Sequence, residues 1–158
     1  MADLKLSITE EEVRNLPLAA FEKEIIVVEK EDMIEEAFNY LCCQKFLGFD
    51  TETKPSFKKG QKNEVALLQL ASADKAYLFR LNKLKLDSQI RKNLSDKNII
   101  KIGVAIKDEL IALKRKNTFI PQSFVELQEL VKKYGILNFA DSSHTLSNTS
   151  SDGLPSTL

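Results

Sequence analysis

The run Phe46-Leu47-Gly48-Phe49, which leads directly into Asp50-Thr51-Glu52-Thr53, constrains this chain more than any other stretch. A short apolar run bounded by turn-forming residues reads as a buried strand. Side chains alternate along a strand, so Asp50 and Glu52 point to the same side at its carboxyl end. In open α/β sheets that end is where ligands bind. Two carboxylates held there repel each other unless something positive sits between them, and a divalent metal with oxygen ligands is the economical candidate. The plainer alternative is a pair of solvated turn residues, because an Asp-x-Glu triplet is common by chance.

The flanking sequence supplies the rest of a layered fold. Thr9-Glu10-Glu11-Glu12 matches a capping box, and a short helix to Asn15 is stopped by Pro17. Glu24 to Val28 is β-branched and strand-like. Ile34, Ala37, Phe38 and Leu41 fall at helical spacing and predict an amphipathic helix from Asp32 to Cys43. Beyond the acidic strand, Val65–Ala71 and Ala76–Leu81 form two more strands around a hairpin turn at Ser72-Ala73-Asp74-Lys75. Leu86–Asn93 is read as a helix and Asn98–Val104 as a strand. Ile106, Leu110 and Leu113 mark a helix ending in Lys114-Arg115-Lys116, where positive charge complements the helix dipole. Phe124–Glu126 is a short strand, and Leu127, Leu130, Val131 and Tyr134 give a last helix closed by Gly135. From Ile136 the sequence turns Ser/Thr-rich, nearly uncharged and aperiodic. It cannot bury enough surface to offset the entropy of ordering, so residues 136–158 are expected to be a disordered tail behind a domain over 1–135.

Composition narrows the partners only slightly. A length of 158 residues suits one domain with a sizeable core. Lysine plus arginine, 23, balance aspartate plus glutamate, 23, so no global field draws in nucleic acid or an anionic membrane, and such binding needs a local patch. One such patch follows the carboxylates: Lys54, Lys58, Lys59 and Lys62 with Phe57 among them. It reads either as a phosphate-tracking rim with one aromatic for base stacking or as a solvated hairpin loop. The start of the chain lacks a basic segment followed by a long apolar one, and no run approaches membrane-spanning length, so an intracellular, cytoplasmic protein is expected. Adjacent Cys42 and Cys43 have neither a metal-binding spacing nor a usual disulfide geometry and are expected to be packed, reduced thiols. Gln69, alone in an apolar strand, is expected to be satisfied at a sheet edge.

Two motifs taken together carry a family resemblance. Asp50-x-Glu52 ends the first core strand, and Ile102-Gly103-Val104-Ala105-Ile106-Lys107-Asp108-Glu109-Leu110 crosses from a strand into a helix. With these in their order, the chain resembles the DEDD superfamily of 3′-5′ exonucleases over roughly Glu24 to Tyr134, nearest the ribonuclease D and Werner-type branch. The resemblance implies an α/β, ribonuclease H-like mixed sheet of about five strands with flanking helices. It also implies four carboxylates holding two Mg²⁺ or Mn²⁺ ions, DNA or RNA 3′ ends as partners, and hydrolysis of terminal phosphodiesters. Asp50 and Glu52 match its first motif residue for residue. In the second motif the family has an aspartate six residues after the glycine, and here Glu109 stands six after Gly103, with Asp108 one position early. Glu109 keeps the charge with an extra methylene. The third motif, a tyrosine or histidine four residues before an aspartate, has no match: Leu137 precedes Asp141 at that spacing, Asn148 precedes Asp152, and His144 is followed by Asn148.

The resemblance therefore implies a fold incomplete at its C-terminus, as in a truncated or frame-shifted member, with Asp50, Glu52 and Glu109 as metal ligands and weakened catalysis. The alternative of another class is an inactive module of the same fold that binds nucleic acid or protein. An aspartyl-nucleophile phosphatase needs an aspartate where Glu52 stands and usually a threonine where Lys54 stands, and is set aside.

Overall fold

Six apolar segments pair into one sheet in the computed structural model, which describes residues 9–53 and 64–134. The elements in chain order are α1 (Glu10–Arg14), β1 (Glu24–Val28), α2 (Asp32–Leu41), β2 (Phe46–Thr53), β3 (Val65–Ala71) and β4 (Lys75–Arg80). They continue with α3 (Ser88–Leu94), β5 (Ile100–Gly103), α4 (Ile106–Lys116), β6 (Phe124–Glu126) and α5 (Leu127–Lys132). The strand order is β1-β4-β3-β2-β5-β6. Strands β2, β3 and β4 form an antiparallel meander, while β1 runs parallel to β4, β5 parallel to β2, and β6 parallel to β5. This is the expected mixed α/β sheet with flanking helices, closed at one edge by the three-residue β6.

Local chemistry explains the joints. Between β3 and β4, the Ser72 amide donates to the Lys75 carbonyl at 2.8 Å, and the Ser72 hydroxyl accepts from the amides of Asp74 and Lys75. That side chain substitutes for a backbone turn partner. The acidic strand β2 lies inside the sheet, between β3 and β5, so its ends are fixed from both sides.

One apolar core holds the layers together. Leu47 and Phe49 of β2, Leu68 and Leu70 of β3, and Tyr77 and Phe79 of β4 point inward. Against them pack Ile34, Ala37 and Leu41 of α2, Ile90 and Leu94 of α3, and Ile106 and Leu113 of α4. Lys101 of β5 is fully buried among them. Its ammonium donates to the carbonyls of Asp96 at 2.7 Å and Asn93 at 3.4 Å and lies 5.1 Å from the Phe124 ring centroid. Burial lowers its pKa to about 8, with the charge of Asp96 pulling the other way.

Two expectations need correcting. Cys42 and Cys43 are exposed rather than packed, because the buried stripe of α2 ends at Leu41 and the next two residues turn away from the core. Gln69 does not sit at a sheet edge, since β3 is an interior strand. Lys54, Phe57, Lys58 and Lys59, the Gly135 cap and the 136–158 segment lie outside the described residues.

The chain divides into two compact units. Leu18–Leu130 contains the sheet. Met1–Pro17 with Val131–Leu158 contains α1, where the Glu12 amide donates to Thr9 Oγ1 at 3.3 Å and the Thr9 amide to Glu12 Oε2 at 2.9 Å, completing the capping box. Among the described residues no helix is long and apolar enough to cross a membrane.

Candidate active site

The carboxyl end of β2 carries the acids, and its neighbours determine how they are held. Asp50 pairs in register with Gln69 of β3, and the Gln69 amide nitrogen donates to Asp50 Oδ2 at 3.0 Å. A cross-strand amide thereby orients one carboxylate oxygen. Glu52 lies two residues further on, exposed and opposite Leu67, just before the register of β2 and β3 shifts.

A second acid arrives from α4. A Cβ on Gly103 would stand 2.5 Å from the Phe49 carbonyl oxygen, so only glycine lets the end of β5 approach β2 this closely. Ala105 then takes a left-handed conformation, φ 55°, and Ile106 opens the helix. Ala105 has no side chain able to cap, and Glu126 at the end of β6 supplies the acceptor: the Ile106 amide donates to its Oε2 at 2.9 Å. One turn into α4, Glu109 comes to lie against Asp50 and the backbone of Thr51. Asp108, its neighbour in sequence, is exposed, as the roughly hundred-degree step between adjacent helical positions requires.

The electrostatics of this pair are unusual. Burial raises the Glu109 pKa to about 8, hydrogen bonding with Asp50 and the charge of Asp50 add to the rise, the Thr51 backbone opposes it, and the charge of Glu126 contributes a little more. Burial and the neighbouring carboxylate therefore favour the neutral form of Glu109, as expected where two carboxyl groups share a site. Its Oε2 is buried and, among the described residues, has no hydrogen-bond partner. An unsatisfied buried oxygen beside a second carboxylate fits a cation-binding donor pair. The fit extends to these two ligands: among the described residues, no three histidine, cysteine, aspartate or glutamate side chains stand close enough together to hold an ion. The fold thus unites Asp50 with Glu109 and leaves Glu52 as a neighbour along the strand.

The family model described as 3′-5′ exonuclease matches residues 25–147. This chain belongs to the 3′-5′ exonuclease family. Within it, the relatives place the chain with the DEDD-type domains of the ribonuclease D, WRN and EXD2 branch. The bifunctional 3′-5′ exonuclease/ATP-dependent helicase WRN of Mus musculus is 35% identical over 89 residues, 55% of this chain and 6% of that protein. The exonuclease mut-7 homolog of Aedes aegypti is 39% identical over 57 residues, 36% of this chain and 8% of that protein. The chain thus matches less than a tenth of the length of either curated relative.

Solved exonuclease domains share the fold. The Nibbler EXO domain of Aedes aegypti superposes with TM-score 0.62 at 22% identity, covering 87% of this chain and 66% of that one. The EXD2 exonuclease domain soaked in Mn and GMP gives TM-score 0.57 at 26% identity, over 70% of this chain and 59% of that one. Two further residues touch the candidate site in ways that a reading of the sequence does not reveal. The bond of Gln69 to Asp50 depends on strand register, and that of Glu126 to Ile106 on the folding of β6 beside the start of α4.

Proposed function

We propose that this chain is a metal-dependent 3′-5′ exonuclease-type domain that hydrolyses terminal phosphodiesters of DNA or RNA, with reduced catalytic power. The observation that carries this reading is the juxtaposition of Asp50 and Glu109, from a central strand and the following helix, within the exonuclease family fold. Asp50, fixed by Gln69, and Glu109 would hold a divalent cation, Mg²⁺ or Mn²⁺, with Glu52 as the neighbouring ligand. Such an ion, when bound, supplies Lewis-acid stabilisation of charge at phosphorus and a more acidic water. The chain's own contribution is orientation. Gln69 holds one Asp50 oxygen, and Glu109 must lose its proton before it can act as a ligand. Lys54, Lys58 and Lys59 would track the strand's phosphates and Phe57 would stack a base.

Two features support weakened turnover: a glutamate in place of the second-motif aspartate, and the lack of a third-motif match in the sequence. Misplacing a catalytic constellation by an ångström costs on the order of a hundredfold in rate. The absence of a three-residue ligand group among the described residues favours a second reading, a binding module of the same fold without turnover. One experiment separates them. Purified chain is incubated with 3′-labelled single-stranded and recessed DNA and RNA in Mg²⁺ or Mn²⁺, beside the double variant Asp50→Ala, Glu52→Ala. Slow label release by the wild type, lost in the double variant, is expected. Release that survives the double change would show that the site lies elsewhere, and binding without release would establish the module.

A further inference from the structure

We infer that Glu126, which matches none of the three sequence motifs, is a positioning residue that sets Glu109 against Asp50 by anchoring the first turn of α4. The inference rests on the proposed metal site and adds a fourth acid with a different job.

Glu126 ends β6, the outermost strand on that side of the sheet, and its carboxylate is used at both oxygens. Oε2 accepts from the Ile106 amide at 2.9 Å, and Oε1 accepts from the Gln128 amide at 3.3 Å. A helix begins with amide donors that have no partner within it, and they are normally capped by the residue just before the helix. In α4 that residue is Ala105, whose methyl cannot accept a hydrogen bond and whose backbone is left-handed. The cap is therefore delivered from a strand twenty residues away.

The consequence reaches the site because Glu109 sits in the same first turn. Gly103 allows β5 to approach Phe49, and Ile106 packs into the core, which together bring the helix start to β2. Core packing of Ile106 and Leu113 orients the helix as a whole. The bond from Ile106 to Glu126 pins the first amide of the turn that carries Glu109 and so steadies the direction in which Glu109 projects towards Asp50 and Thr51.

The test uses the full chain and four variants: Glu126→Ala, Glu126→Gln, Glu126→Asp and Glu109→Ala, with the double variant Glu126→Ala, Glu109→Ala. The first readout needs no metal. Amide hydrogen exchange at Thr51, whose backbone lies against Glu109, should accelerate about tenfold in Glu126→Ala and match the Glu109→Ala value. The second is Mn²⁺ affinity by calorimetry, expected to fall about tenfold in Glu126→Ala, the scale on which partners of metal ligands act.

Glu126→Gln retains an acceptor for the Ile106 amide and should stay within about twofold of wild type in both readouts. Glu126→Asp keeps the charge but falls one methylene short and should behave like the alanine variant, which keeps the test decisive if Glu126→Ala does not fold. In the Glu109→Ala background, Glu126→Ala should add nothing to the loss of Mn²⁺ binding. Additive losses would mean that Glu126 acts directly on the ion and would overturn the inference, as would a glutamine variant as impaired as the alanine one. Wild-type chain that binds no Mn²⁺ would sink the metal reading alone, with Thr51 exchange still deciding the role of Glu126.

Discussion

Single residues control how closely the two acid-bearing elements approach. At Gly103 the nearest obstacle to a Cβ is a backbone carbonyl, which cannot swing aside as the tip of a flexible side chain can. Gly103→Ala should therefore destabilise the fold by about 1–3 kcal/mol, the usual cost of overpacking, measured as a lower urea midpoint. Lys101 contributes one part of the pH dependence. Its folded-state pKa of about 8 lies below the ordinary 10.5, so the unfolded chain holds this proton more tightly. The penalty is full below about pH 8 and fades as pH rises towards the unfolded value, so stability should increase through that window. Urea midpoints taken at about pH 7.5 and about pH 9.5 should show this rise net of an opposing loss from Glu109, whose raised pKa of about 8 removes stability as pH rises through that value, and Lys101→Met should leave only the loss.

Elements follow the sequence where their ends are chemically marked. The amides that begin α3 are satisfied by Asp87, whose carboxylate accepts from the Gln89 amide at 2.7 Å. Asp87→Ala should cost about 1 kcal/mol in equilibrium urea unfolding, the ordinary value of an N-cap. The expected helix from Leu86 starts at Ser88 because this cap, rather than the apolar spacing, marks its beginning. The strand expected over Asn98–Val104 shortens to Ile100–Gly103, because pairing with β2 and β6 covers only those residues. Helix α4 shows what periodicity cannot reveal. Its apolar spacing and basic end were legible, but its start depends on a carboxylate from another strand, and no local pattern around Ala105 announces that.

At the scale of the sheet-bearing unit, α2, α3 and α4 lie on one side. Leu47 and Phe49 face α2, α3 and α4, while the alternate residues of the strands turn to the opposite face. One row of paired positions there runs Ile25, Ala76, Ala71, Gly48, Ile102 and Val125, apolar across all six strands. At a strand spacing of about 4.8 Å this row is roughly 24 Å wide. Ile25, Val27 and Phe46 on this face are 52%, 44% and 58% exposed. A contiguous apolar surface of this kind binds hydrophobic dyes. The native chain should enhance anilinonaphthalene sulfonate fluorescence, and Ile25→Thr with Val27→Thr should reduce that signal while leaving the thermal midpoint within a few degrees. A signal that does not change would place the dye site elsewhere. The sequence by itself determined the strands, the helical stripes, the capping box and the acids at Asp50 and Glu109, because alternation, 3.6-residue spacing and side-chain chemistry are properties of neighbours along the chain. Only the tertiary structure decided that Gln69 holds Asp50, that Glu126 caps α4, and that Cys42 and Cys43 face solvent. Each of these follows from register or packing between residues distant in sequence, where a shift of one position exchanges the buried face for the exposed one.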